Sequence, residues 1–428
     1  MSQMMNLMLR IREAAGEGGP AFLYHIQLDG KAIASNLAVS AEDARALRRL
    51  ARDYLALFEP PHVARLSLQA QRALGRELFD LWLGPHWGEI TSRLPPGAHC
   101  RIVIASTLPD VLNLPWELLC PPEGDFLAFD PRFSFRRFPC ADGLLPAAPP
   151  RSALPAGPLR VLFFVAAPLD LAELDYEGEE KAVLEVLARL GVEEEVAFYT
   201  NDLGSFEELQ DMLNRLRPQV VHLTGHGALG RRCPKCRHLN EPDDVTCRGC
   251  GASLEGVPVL GHFAFEDEGG HEDPRSSLEL WRDCLAGSDV QAVFVSGCQT
   301  GRAPDVAALG GIAQGLVGAG VPLALGWAAS IADDIATAFA ARLYGVLAAG
   351  QPADRAFLQA RQAIRERCDK LGYPAWTLPV LYASSAQEEV FDPRHWERPP
   401  KPTVVQQPLP GINPVSYTHL TLPTKAQV

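Results

Sequence analysis

From Leu159 onward, apolar runs of strand length alternate with amphipathic segments of helical period, and this alternation narrows the possible folds more than any other feature. Strands are read at Leu159–Ala166, Val192–Tyr199 and Val321–Gly326. Helices are read at Glu177–Leu190, Ser205–Arg217, Val306–Ala319, Asp333–Ala349 and Ala353–Leu371. Ser205 with Glu208 three residues on has the form of a capping box. Strands separated by helices pair through right-handed crossovers, so the expected class is α/β, a parallel sheet flanked by helices. Such a sheet gathers the carboxyl ends of its strands along one rim, where ligands bind.

Two apolar runs end on residues able to do chemistry at that rim. Val220-Val221-His222-Leu223-Thr224-Gly225 leads to His226-Gly227, and Val293-Phe294-Val295-Ser296-Gly297 leads to Cys298. A thiol of ordinary pKa, about 8.5, needs a neighbouring base to become a nucleophilic thiolate, and a histidine supplies one. Glycines beside each residue, Gly227 and Gly297, let a substrate backbone approach closely. The N–H groups of Gly227 and Cys298 then face a developing oxyanion, each such donor worth roughly 3 to 4 kcal/mol of barrier. The alternative stays open that Cys298 is a small buried hydrophobe and His226-Gly227 only a turn.

Beside the pair stand Asn113-Leu114-Pro115-Trp116-Glu117-Leu118-Leu119, Gly310-Gly311-Ile312-Ala313, Ala319-Gly320-Val321-Pro322 and Trp376-Thr377-Leu378-Pro379-Val380-Leu381-Tyr382. With these motifs in this order, Phe22 to Ser385 resembles a CHAT-domain peptidase, of the caspase and separase type. The resemblance implies a caspase-like parallel sheet flanked by helices, a non-catalytic α/β N-terminal half, His226 as general base and Cys298 as nucleophile. It further implies a cysteine endopeptidase acting on a protein substrate within a regulated prokaryotic signalling or defence system. The chain departs from the family pattern at Gly297 and Gln299, where Ala and Glu are usual, which bears on the pocket floor. Other classes are a catalytically silent interaction platform and a thiol hydrolase of small esters or amides. Asp333, near a stretch that resembles the substrate pocket of related proteases, is a candidate to pair with Lys or Arg before the scissile bond; helix N-capping is its other reading.

A second chemical signal lies between the His and Cys strands: Cys233-Pro234-Lys235-Cys236, ten residues, then Cys247-Arg248-Gly249-Cys250-Gly251. Two such knuckles bring four thiolates round one tetrahedral Zn²⁺, and a site closed by four sulfurs is structural, not hydrolytic. The segment, 231–254, resembles a zinc ribbon, Asn240 and Gly251 included, and so small a module is expected to need its metal to fold. A redox Cys-x-x-Cys or two disulfides are the alternatives. Arg231, Arg232, Lys235, Arg237 and Arg248 read as a solvated basic face, or else as a dock for an acidic partner. His262, His271 and the acids Glu266 to Asp273 read as a Gly-rich solvated loop, from which Asp267 is a candidate wall of the substrate cleft.

The front half, 1–140, carries strands at Ala21–Gln27 and Lys31–Ser35, helical periods at Ala41–Leu57 and Leu66–Leu83, and strand character at Arg101–Ala105 and Phe126–Phe138, with no visible nucleophile or base. Trp116 and Glu117 read as an aromatic anchor and a carboxylate satisfied by backbone. Residues 141–158 form a Pro/Ala-rich linker to the protease half, 159–390. Residues 391–428 are Pro-rich, and Val415 to Val428 resembles translated sequencing-adapter sequence, so a further domain or a regulatory protein is expected downstream. A net charge of −13 over 428 residues argues against nucleic acid as a partner. No apolar run suits a signal peptide or a membrane span, and with ten cysteines this reads as a cytoplasmic, reduced protein.

Overall fold

In the computed structural model the described residues are 4–14, 21–58, 65–139, 158–190, 196–296, 306–329 and 331–385. The strands are β1 (Met4–Glu13), β2 (Phe22–Leu28), β3 (Lys31–Val39), β4 (His99–Ser106), β5 (Phe133–Phe138), β6 (Leu159–Val165), β7 (Val196–Thr200), β8 (Val220–Thr224), β9 (Gly227–Arg232), β10 (Leu239–Asn240), β11 (Leu260–Glu266), β12 (Glu272–Ser276), β13 (Ala292–Ser296), β14 (Leu323–Trp327) and β15 (Pro379–Ala383). The helices are α1 (Ala41–Ala56), α2 (Leu68–Trp82), α3 (Trp87–Arg93), α4 (Pro109–Leu112), α5 (Tyr176–Leu190), α6 (Phe206–Leu216), α7 (Ser277–Leu280), α8 (Val306–Ala319), α9 (Asp333–Ala348) and α10 (Ala353–Leu371).

Eleven strands join in one sheet, ordered β3-β2-β1-β4-β5-β15-β14-β13-β8-β6-β7. Pairing is parallel except at β3-β2, β2-β1 and β15-β14, the mostly parallel α/β architecture expected. β1 escapes the sequence reading although Met5, Leu7, Leu9 and Ile11 alternate with Asn6 and Arg10; only the buried Met8 interrupts the period. Of the strand character read at Phe126–Phe138 only β5 pairs; the Asp130 carboxylate accepts the Arg132 N–H at 2.9 Å and turns the chain ahead of it. Ser205 caps α6 through an Oγ that accepts the Glu208 N–H at 3.1 Å.

The front half is built into the second half. β5 pairs with β15, and two buried charge clusters span the seam. Glu117 accepts from Arg137 at 2.8 Å and from Arg361 at 3.4 Å, while Asp354 accepts from Arg101 at 2.8 Å and from Arg136 at 3.0 Å. Trp116 is the buried anchor expected, its indole N–H donating to the Val111 carbonyl at 2.7 Å, but Glu117 is satisfied by arginines and not by backbone. Among the described residues no helix is long and apolar enough to cross a membrane. The linker read at 141–158, all but its last residue, and the tail read at 391–428 lie outside the described residues.

Candidate functional site

β8 and β13 are neighbours, parallel and in register, Thr224 lying opposite Ser296. His226 and Cys298 each follow two residues beyond that rung in sequence. Gly297 and Cys298 fall outside the described residues, so the structure gives the strand that leads to the thiol and says nothing of the thiol itself.

Gly225 carries the turn out of β8. Its N–H donates to the Ser296 carbonyl at 3.0 Å, and a Cβ there would sit 2.5 Å from the Phe263 ring and 3.0 Å from the Ala166 carbonyl. Only glycine lets the end of β8 approach β11 and the end of β6 this closely. His226 is buried, with an edge left open. Its Nε2 lies 2.8 Å from the Ala172 carbonyl, which can only accept, so Nε2 carries the proton and in the neutral ring Nδ1 is the acceptor nitrogen. The Ala264 N–H donates to the His226 carbonyl at 2.9 Å, which makes that rung the hydrogen-bonded one. At the next rung, where Gly227 faces Phe263, the antiparallel alternation therefore turns the Gly227 N–H away from β11.

The segment after the ribbon is a hairpin, solvated at its tip from Asp267 to His271 and not along its whole length. Phe263 and Phe265 alternate into the core, Phe265 meeting Phe206 edge to face at 5.2 Å, so Leu260–Glu266 forms the buried strand β11, with β12 as its hairpin partner. His262 is buried, bonds the Leu260 carbonyl at 2.9 Å and is pushed down to about 4 by loss of solvation. Asp267 sits at the hairpin tip, where its carboxylate accepts the N–H groups of Gly269 at 2.8 Å and His271 at 2.9 Å; those bonds hold its pKa low. The hairpin is tied to the β6–α5 connection, Leu169 N–H to the Gly270 carbonyl at 2.8 Å and Glu272 N–H to Asp170 at 3.0 Å. That connection supplies Ala172. Asp333 lies half-buried in the first turn of α9, whose N-cap is Ala332, so it is not the cap residue.

Beneath the Thr224–Ser296 rung lies a group that sequence reading passed over. Glu179, buried in the first turn of α5, accepts the Ser296 hydroxyl at 3.0 Å and the Thr224 hydroxyl at 3.3 Å. Burial pushes its pKa up to about 7, opposed by those two hydrogen bonds and assisted by the charge of Asp333. His222 Nε2 is 3.5 Å away, but burial pushes that ring down to about 3, so it is neutral. The signal was present in outline: 179, 183 and 187 share one helical stripe, and Val183 and Leu187 are buried. Ala172 acts through its backbone carbonyl and left no such signal.

The knuckles after β9 converge. Cys233, Cys236, Cys247 and Cys250 are free thiols whose Sγ atoms all lie within 4.8 Å of one another, with 3.7 Å between Cys233 and Cys250 and 3.5 Å between Cys236 and Cys247. A tetrahedron with bonds of about 2.3 Å has edges of about 3.8 Å, so four cysteines at this spacing can hold a metal ion. Both turns repeat one backbone form: the residue after each second cysteine, Arg237 and Gly251, has a φ of 65° and 71°. Asn240 bridges the two halves, its amide donating to the Arg231 and His238 carbonyls and its oxygen accepting the Arg248 N–H at 2.8 Å. The expected basic face stays solvated at Lys235, Arg237 and Arg248, the last paired with Asp244 at 2.8 Å, while Arg232 is drawn inward by Glu279 at 2.7 Å and Asp273 at 3.1 Å.

The CHAT domain family model matches residues 72–399, most of the chain and all the strands that frame this rim. No curated protein matches. Among solved structures, the chain is similar to the Arg specific cysteine proteinase gingipain R at 9% identity, covering 77% of this chain and 69% of that one with a TM-score of 0.41. It is also similar to the Saccharomyces cerevisiae separase–securin complex at 16% identity, covering 72% of this chain and 17% of that one with a TM-score of 0.37. The extent of the family match decides the matter, and the chain belongs to the CHAT-domain family.

Proposed function

We propose that the chain is a cysteine endopeptidase whose working pair is Cys298 and His226. One observation carries the reading: β8 and β13 are adjacent, parallel and in register up to the Thr224–Ser296 rung, two residues short of His226 and Cys298 in sequence, and the Ala172 carbonyl holds the imidazole in the tautomer a base requires. In the proposed reaction His226 Nδ1 takes the thiol proton as Cys298 Sγ bonds to the scissile carbonyl carbon. The C–N bond then breaks as the same nitrogen returns the proton to the leaving amine, and water hydrolyses the thioester to free the acid. The Gly227 N–H, turned away from β11, supports an oxyanion role for that residue, shared with the Cys298 N–H. Asp333, half-buried and within electrostatic reach of Glu179, is the proposed partner of a Lys or Arg side chain before the scissile bond. Asp267 is assigned a place in the substrate wall through the hairpin's ties to the Ala172 connection, not through a free carboxylate.

Cys233, Cys236, Cys247 and Cys250 are proposed to hold Zn²⁺, which supplies cross-linking here and no step of the reaction, since four sulfurs leave no open position. The peptidase reading is tested by profiling a peptide library with the wild type and Cys298→Ala. Sequence-selective cleavage lost in the variant supports it. Cleavage that survives the substitution, or a thiol that turns over only small esters, overturns it; partner binding with no cleavage at all would leave an interaction platform.

A further inference from the structure

We infer that Glu179 is a positioning residue of the proposed dyad, its side chain tying the ends of β8 and β13 together at their last paired rung, two residues before His226 and Cys298 in sequence. The inference rests on the peptidase reading of the same rim. Thr224 and Ser296 face each other across the parallel ladder, and both hydroxyls donate to this one carboxylate, at 3.3 Å and 3.0 Å. Two residues further along each strand in sequence stand His226 and Cys298. The connection from β6 into α5 thus serves the rim twice. Its Ala172 carbonyl sets the imidazole tautomer, and Glu179, one turn into the helix capped by Asp175 (Gly178 N–H to Asp175 at 3.2 Å), fixes the strands below. A fixed spacing between the two strand ends is what a proton transfer over hydrogen-bond distance requires.

A purely architectural role would be served at lower cost. The carboxylate is fully buried, the facing His222 is neutral, Tyr344 and Asp333 on α9 raise no positive charge against it, and among the described residues no Lys or Arg pairs with it. The helix N-terminus and two hydroxyls are its compensation. A buried carboxylate kept on these terms beside a candidate catalytic rim, and titrating near neutrality, is the pattern of a tuned site.

The test compares Glu179→Gln with wild type in the wild-type background and in Thr224→Val/Ser296→Ala, using the full chain. With a peptide cleaved in a Cys298-dependent manner, Glu179→Gln should lower kcat about 10-fold or more and leave KM within about 2-fold. Cys298 alkylation by iodoacetamide, followed against pH, should lose an ionisation near neutrality. In the double-variant background Glu179→Gln should add less than about 2-fold, because the carboxylate acts through those hydroxyls. Unchanged kcat and an unchanged alkylation profile, or an equal penalty in both backgrounds, overturns the inference. If wild type shows no Cys298-dependent cleavage the peptidase reading fails on its own, and the alkylation profile alone then decides the role of Glu179. If Glu179→Gln does not fold, Thr224→Val/Ser296→Ala must itself slow Cys298 alkylation, and full wild-type reactivity there is equally fatal.

Discussion

Glu179 and His222 lie 3.5 Å apart in the same dry interior, and burial drives their pKa values in opposite directions, the acid up and the base down, so both favour the uncharged form. For Glu179 the folded value, about 7, stands above the ordinary 4.5. Protonation is therefore favoured by folding: this contribution is complete below about pH 4.5 and is lost as pH rises through 7. Over the whole interval it amounts to about 3 kcal/mol. Glu179→Gln should escape that loss. Denaturant midpoints measured at pH 5 and pH 8 should show the wild type falling relative to the variant, and a constant difference would show that Glu179 does not titrate in the folded protein. Gly225 makes a second residue-scale prediction. The Cβ of Gly225→Ala would collide with the Phe263 ring and crowd the Ala166 carbonyl, so the variant should lose about 1–3 kcal/mol and most of its cleavage activity; chemical denaturation and a peptide assay read both. What the sequence showed at this scale was the strand-end His-Gly and Gly-Cys. It hid Ala172, since a carbonyl has no residue signature, and half-hid Glu179, an acid on an otherwise apolar stripe.

At the scale of elements, the ribbon hangs from β9, which starts at Gly227 and reaches the first of the four clustered cysteines immediately after Arg232. Its own core is only Cys233, Cys247 and Leu254, with Ala252 and Val257 against it. So small a cluster cannot offset the entropy of ordering the segment, and under the proposed metal site the bound ion contributes its folding energy. Chelation, or Cys236→Ser, should abolish amide-exchange protection across 233–254 while the eleven-stranded sheet keeps its own; protection that persists in the metal-free protein would contradict this. The knuckles were readable because metal geometry constrains spacing directly. β11 and β12 were not, because the glycines and acids around Phe263 and Phe265 gave the composition of a loop, and the alternation that makes a strand spans only a few residues.

Across the whole molecule, one sheet runs through both halves, and its seam at β5–β15 is locked by Glu117 and Asp354, each accepting from two buried arginines. Removing one carboxylate leaves two buried guanidinium charges uncompensated. Asp354→Ala or Glu117→Ala should therefore cost about 3–5 kcal/mol, and differential calorimetry with a loss below about 1 kcal/mol would rule this out. The α/β class and most elements of the second half were legible from strand–helix alternation. The continuity of the sheet was not, because strand order across a seam is set by long-range pairing and by buried charges that look like surface residues in a sequence. The central claim remains that the rim of this sheet presents a histidine-activated thiol. Mass spectrometry after exposure to a peptidyl electrophile tests it most directly: a single covalent adduct on Cys298, lost or strongly slowed in His226→Ala, is the expected result, and labelling spread over other thiols or indifferent to His226 would contradict it.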